Sequence, residues 1–342
     1  TGTRALQQRK GLDMPRLRVG LIVDESDQSS FIWDTFNSSR KSDWYSIEAL
    51  IVQSEVRARR RNLILRVVDK VRRDGLKKAL ARALFRAVQI FEFKLLARRD
   101  PRLLDLVREY PLDLFDVQKL SVSPEISPSG FIYRYGDSDI AAIRDLGLDI
   151  LIRGGSGILR GEILDVCRFG IISFHHADNK VNRGGPAGFW EVFNRDPSTG
   201  FIIQILSSEL DGGDVIFRGS TATEALYTRN MLKIFSKSNI FLHRTIEQIA
   251  VAGRLPQIEP KLPYAYPLYS YPTLLQLFDY IFRTFKYKTS RKFLKVRGVS
   301  NNRWSIAYQF VDDWRGVALR KSRVIKNPPG RFLADPFVTV KD

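Results

Sequence analysis

Three short apolar runs constrain this chain more than any other feature. Residues 17–24 read Leu-Arg-Val-Gly-Leu-Ile-Val-Asp, residues 45–52 alternate and then run apolar, and residues 149–152 read Asp-Ile-Leu-Ile. A strand with water on one face alternates, whereas a strand that is apolar throughout is covered on both faces. Helical patterns lie between these runs, at 31–36 and at 139–146, where Ser138 stands in position to cap. Strand, helix, strand in this order predicts an α/β fold with a mostly parallel sheet flanked by helices. Residues 170–174 and 215–219 read as further strands. Residues 160–166, 231–252 and 274–285 read as helices.

Open α/β sheets bind ligands beyond the carboxyl ends of their strands, so the residues following each strand carry the functional information. After 149–152 comes Arg153-Gly154-Gly155-Ser156-Gly157. Its glycines permit close approach of the backbone to a ligand, and equally permit a plain tight turn. No Gly-Lys-Ser/Thr follows, so it is not a phosphate-binding P-loop. After 170–174 come His175 and His176, two of the three histidines in the chain. Alone, a His pair at a strand end reads as local hydrogen bonding, and Leu210-Asp211-Gly212-Gly213-Asp214 reads as a tight turn. His243 lies in an apolar helical stretch and reads as structural.

In order, however, these elements form a longer pattern. Ser173-Phe174-His175 is followed by Arg183-Gly184, an aromatic helix, Thr199-Gly200, a β-branched strand and then Leu210-Asp211-Gly212-Gly213-Asp214. This resembles the core of the formyltransferase family over about residues 17–220. The resemblance implies a Rossmann-like fold and transfer of a formyl group from 10-formyltetrahydrofolate to an amine. It implies His175 as the proton shuttle, Asp211 as its carboxylate partner and Ser173 at the oxyanion position. It places Arg153, Gly154, Gly155 and Gly157 at the folate, and His176, Arg183 and Gly184 at the acceptor. The family carries Asn where Ser173 stands, and Ser-Leu-Leu-Pro where Ala177-Asp178-Asn179-Lys180 stands. A Ser hydroxyl is a shorter, single donor, so the scaffold is kept while part of the chemistry is changed. Formyl transfer, hydrolysis of the formyl-folate, and a module that binds a sugar, a partner or a membrane without catalysis all remain open at this point.

The net charge of +18 predicts an anionic partner. Most of it lies in residues 56–100, with 15 Lys and Arg against 4 Asp and Glu, a net +11. Two amphipathic helices are expected there. One carries Leu63, Ile64, Val67, Val68 and Val71. The other carries Leu76, Leu80, Ala83, Leu84, Ala87 and Phe91 toward the domain, with Lys78, Arg82 and Arg86 outward. The family core has much less between its second and third strands, so 56–115 reads as a basic helical insertion in a domain spanning 16–235. Its basic face would suit an anionic membrane surface. Nucleic acid is the less favoured partner, because tRNA binding calls for a basic stripe continuous with His175. A nucleotide-linked amino sugar is the favoured amine. A single cysteine, Cys167, excludes an internal disulfide framework, offers no zinc cluster and fits a reducing cytoplasm.

Residues 236–300 read as a helical and Pro/Tyr-rich linker, and 301–342 as a truncated β segment. Around Asp335-Pro336 the chain is similar to the first blade of five-bladed propeller proteins related to some glycoside hydrolases. A propeller takes at least four blades, so that resemblance implies a protein continuing beyond Asp342.

Overall fold

The computed structural model describes residues 16–54, 75–128, 130–209, 212–261, 268–296, 304–311, 322–329, 331 and 333–336. Its centre is a seven-stranded sheet built from β1 (Leu17–Asp24), β2 (Tyr45–Gln53), β3 (Gln118–Val122), β4 (Ile150–Arg153), β5 (Ile171–His175), β6 (Ser198–Ile205) and β7 (Asp214–Ala222). The order is β3-β2-β1-β4-β5-β6-β7. Strands β3 to β5 are mutually parallel, and β6 and β7 run antiparallel to their neighbours. This is the expected α/β architecture: the apolar runs are the inner strands, with Leu21, Ile22, Leu50, Ile51, Leu151 and Ile152 all fully buried.

Helices cover both faces. On one face α1 (Ser30–Arg40) and α5 (Tyr227–Ala252) pack through Ile32, Phe36, Leu242, Ile246 and Ile249. On the other, α3 (Asp137–Asp145) packs Ile140 and Ile143 against Ile22, Ile51 and Leu151. Helix α3 starts two residues earlier than expected, and Gly136, not Ser138, stands at its N-cap. The expected helix at 160–166 is instead a short strand, Ile158–Arg160, followed by a single 3-10 turn, Glu162–Asp165. That strand pairs with 132–134, which removes its residues from any helix.

A third core joins α2 (Leu76–Ala97), α4 (Phe189–Asn194), the start of α5 and α6 (Leu274–Val296). Phe85, Phe189, Trp190, Tyr227, Leu277 and Tyr280 form it. Glu92 locks three of these helices together. The Tyr280 hydroxyl donates to one of its oxygens, and the Thr228 amide at the start of α5 donates to the other at 2.9 Å. Burial raises the Glu92 carboxyl above its ordinary range.

The inward face of α2 differs from the expected one. Ala81, Phe85, Glu92 and Leu96 are buried, whereas Leu76, Leu80, Ala83, Ala87 and Phe91 face solvent. The physical reason is the partner: Phe85 fits among Phe189, Tyr227 and Tyr271, and Glu92 meets an open helix N-terminus. The expected helix over 63–71 lies outside the described residues. Helix α6 continues through the basic run at 286–296 that follows its aromatic half. Near the carboxyl end, strands Ala307–Tyr308 and Arg323–Val324 pair as a small exposed ribbon.

Candidate active site

Strand order reverses between β1 and β4, and the carboxyl ends of these strands meet there. Asp24 ends β1 and organises the glycine loop after β4. The Ser156 amide donates to both its oxygens at 3.0 Å, and the Ser156 hydroxyl to Oδ2 at 2.6 Å. Gln53 from β2 adds a donor at 3.0 Å and is itself held by the Tyr135 hydroxyl at 2.7 Å. The amides of Gly154 and Gly155 both donate to the Ile22 carbonyl at 2.8 Å. A Cβ on Gly154 would lie 2.3 Å from Ile32, and one on Gly155 2.5 Å from Gln53. A larger residue at either position would have to displace these side chains and crowd the β1 backbone, 3.1 Å from the Ile22 oxygen at Gly154 and 3.2 Å from the Val23 carbonyl carbon at Gly155. Gly157, at φ +86°, lies against the Tyr133 ring, and its carbonyl accepts from Arg153.

Beside this loop opens a cavity of about 1000 Å³ between α1, α5 and the ends of β4 and β5. Phe31, Gly154, Gly155, Ser173, Phe174 and His176 are among its walls, and Arg153 reaches it. Gly157 is not on its lining.

His175 and His176 are neighbours in sequence but are held from opposite sides. Side chains alternate along a strand, and β5 ends between them. His176 turns toward α5, where its Nε2 meets Ser238 Oγ at 3.1 Å. Its ring stacks on Phe174 and stands edge-on to Phe235. Burial, and then the adjacent His175, push its pKa down to about 3. It is a neutral hydrogen-bonding wall of the large cavity.

His175 is buried on the other side, and its Nε2 donates to the Asn182 carbonyl at 2.9 Å. A carbonyl only accepts, so Nε2 carries the proton and the lone pair of the neutral ring sits on Nδ1. Ser173 shares this face of β5 by alternation, borders the large cavity, and places its hydroxyl 3.3 Å from the Phe174 carbonyl.

The segment after His175 is fixed by ion pairs. Arg218 of β7 donates to Asp178, to Asn179 Oδ1 at 3.0 Å and to Glu259 at 2.9 Å. Lys180 reaches Glu259 at 3.1 Å. Burial pushes the Glu259 carboxyl up, but Arg218 and Lys180 outweigh it and hold it below its ordinary range. Arg183 is buried, donates to the Asn179 carbonyl at 3.2 Å, and pairs with Glu209 at 2.7 Å. That last contact ties the loop after β6 to the segment that follows His175. Asp211 itself lies outside the described residues, two positions beyond Glu209. Gly184, at φ +98°, is pressed against Tyr269 of the Pro/Tyr-rich segment, where a Cβ would stand 2.2 Å from the Tyr269 carbonyl oxygen. The Arg183-Gly184 turn is thus clamped by that segment on one side and by Glu209 on the other.

One group went unforeseen in the sequence. The Asn182 amide donates to buried Glu191 of α4 at 3.2 Å. Asn182 Oδ1 and Glu191 Oε2 are buried with no hydrogen-bond partner among the described residues, beside a cavity of about 180 Å³. Burial raises Glu191 to about 7. His175, the Asn182 backbone and side chain, and Glu191 therefore form one connected polar unit. In the sequence, a Glu after Phe-Trp in an amphipathic helix gives no sign of burial.

This is an α/β sheet with a ligand-sized crevice at its switch point and a histidine fixed at the adjoining strand end. No family model matches the chain. It is similar to the methionyl-tRNA formyltransferase of Clostridium acetobutylicum, with 23% identity over 195 residues, 56% of this chain and 59% of that protein. The chain thus matches less than two thirds of that relative's length. Over that stretch its sequence is formyltransferase-like, in agreement with the motif resemblance. Among solved structures it is similar to glycinamide ribonucleotide transformylase 1 from Symbiobacterium toebii, with a TM-score of 0.41, 12% identity, and 71% and 95% of the two chains covered. It is also similar to phosphoribosylglycinamide formyltransferase from Anaplasma phagocytophilum, with a TM-score of 0.44, 12% identity, and 70% and 89% covered. A formyltetrahydrofolate deformylase from Pseudomonas syringae gives a TM-score of 0.36, 13% identity, and 70% and 60% covered. TM-scores of this size carry no functional weight.

Proposed function

We propose that the protein transfers a formyl group from 10-formyltetrahydrofolate to an amine, with His175 as the proton shuttle. The observation that carries this is the state of His175: buried at the end of β5, its Nε2 proton committed to the Asn182 carbonyl, its Nδ1 the basic nitrogen. The folate supplies the formyl group as an activated amide and leaves as tetrahydrofolate. His175 Nδ1 accepts the proton that the attacking amine sheds and returns it to the leaving nitrogen. Asp211, by its place in the motif, stabilises the imidazolium. Ser173 offers the oxyanion one donor where the family has a longer carboxamide; loss of such a donor costs about 3 kcal/mol of transition-state stabilisation. The cavity of about 1000 Å³ is large enough for a folate, and Ser173, on its wall and two residues before His175, is where donor and shuttle would meet.

A nucleotide-linked amino sugar is the favoured acceptor over tRNA. Lys180 and Arg183, in the segment after His175, and Arg218, which holds that segment, are each paired with a carboxylate. Among the described residues, these three are thereby not available as a basic stripe leading from the site to a nucleic-acid backbone. A second reading, a formyltransferase-like module without transfer, is favoured by Ser173 and by Ala177-Asp178-Asn179-Lys180 in place of the family's loop. The test is release of tetrahydrofolate from 10-formyltetrahydrofolate with and without amino-sugar nucleotides. Amine-dependent release supports transfer. Release in water alone makes the protein a hydrolase, and no release with any amine leaves the non-catalytic reading.

A further inference from the structure

Helix α2 has two apolar faces. Ala81 and Phe85 enter the third core, and Leu84 and Val88 pack against it. On the opposite side Leu76, Leu80, Ala83, Ala87, Ile90 and Phe91 recur at helical spacing, and the four large ones are 54–71% exposed. Helix α6 repeats the arrangement. Leu277 and Tyr280 point inward, while Leu275, Phe278, Phe282, Phe285, Phe293 and Val296 run along the outer face at 55–81% exposure. The two helices are joined through Tyr280 and Glu92. Exposed apolar surface on this scale marks an interaction site.

The charge bordering these stripes is of one sign. Helix α2 carries Lys77, Lys78, Arg82, Arg86 and Lys94; helix α6 carries Arg283, Lys286, Arg291 and Lys292, while Lys288 is part-buried beside Glu92. The only acids in the two helices are Glu92, which is buried, and Asp279, which pairs with Arg283 at 2.7 Å. A second copy of the chain would set this cationic border against itself. An anionic bilayer offers both what the stripes and what the border require, an apolar layer beneath a negative surface. No described helix is long and apolar enough to cross a membrane, so contact would be interfacial.

We infer that α2 and α6 form a membrane-docking face that lies on anionic lipid, with the exposed Phe and Leu side chains entering the headgroup layer. This does not depend on the formyl-transfer reading. It replaces the sequence-based expectation of a purely electrostatic face with a mixed one, and that difference is measurable.

The test is cosedimentation of the intact chain with vesicles of phosphatidylcholine alone and of phosphatidylcholine with phosphatidylserine. Binding to the mixed vesicles only is expected, weakening as salt rises and the screening length falls from about 10 Å at 0.1 M to about 3 Å at 1 M. Lys77→Gln, Lys78→Gln and Lys286→Gln should each lower partitioning about fivefold. The pair Phe278→Ser and Phe282→Ser should lower it at least about tenfold while circular dichroism and melting stay unchanged. Should that pair disturb folding, Leu275→Ser and Val296→Ser, at the most exposed positions, serve instead. A wild type that ignores the mixed vesicles at low salt overturns the inference. So does binding that the apolar variants leave intact, or a dimer in light scattering that these variants dissociate without any vesicle binding.

Discussion

The strand ends around His175 and the outer faces of α2 and α6 are built on opposite terms. At the strand ends, charge is buried and answered: Arg218 meets Asp178 and Glu259, Arg183 meets Glu209, and His175 meets a carbonyl. On the helices apolar side chains stand in solvent and cations border them with little acid nearby. The first arrangement holds a local geometry, because removing one member of a buried set leaves its partner uncompensated. The second holds nothing within the chain, because exposed side chains add little to folding. The two regions should therefore respond in contrasting ways to substitution.

The largest effect expected is on activity. His175→Ala should lower formyl transfer by about 10²–10⁴-fold, as loss of a general acid–base does. His176→Ala should cost far less, since that ring is neutral and turned toward Ser238. Single-turnover rates with 10-formyltetrahydrofolate check both, and equal losses would mean that His176 is the shuttle or that both histidines act.

Next comes stability at the same strand ends. Arg218→Met should destabilise by about 3–5 kcal/mol in urea unfolding, because Asp178 loses its cation and partly buried Glu259 keeps only Lys180. A loss below about 1 kcal/mol would mean that solvent already screens the set.

Glu191 sharpens the contrast through pH. Its carboxyl is raised from 4.5 to about 7, so the folded chain binds that proton more tightly than the unfolded chain does. Its contribution to stability is full below pH 4.5 and is lost as pH rises to about 7, a swing of up to about 3 kcal/mol. Glu191→Gln keeps the shape and removes the titration, so the difference between variant and wild type should grow over that window. Urea midpoints from pH 4 to 8 measure it, and parallel curves would show that water in the small cavity keeps Glu191 ionised.

The smallest effect belongs to the helices. Phe282→Ser should shift folding stability by no more than about 0.5 kcal/mol, although it replaces a phenylalanine. A loss comparable to a core truncation, about 3–5 kcal/mol, would show that another part of the chain covers this face.

The inner strands were legible because an apolar run of strand length has only one stable place, between two layers of helices. The spacing from His175 to Arg183-Gly184 and on to Asp211 was legible as a pattern, and it pointed to the end of β5 as the candidate site. Which way each histidine points was not, because β5 stops between them and the choice depends on Ser238 of distant α5 and on how the loop after the pair folds Asn182 back to His175. Helix α2 makes the same point. Its sequence holds two apolar stripes, each adequate for a core by periodicity alone. Phe85 and Glu92 went inward because Tyr227, Thr228 and Tyr280 were there to receive them, and the stripe from Leu76 to Phe91 was left outside. Period and composition determine that a helix or strand will form and which faces are able to be buried. Which able face is buried is decided by the partner that packs against it, and that partner exists only once the chain has folded.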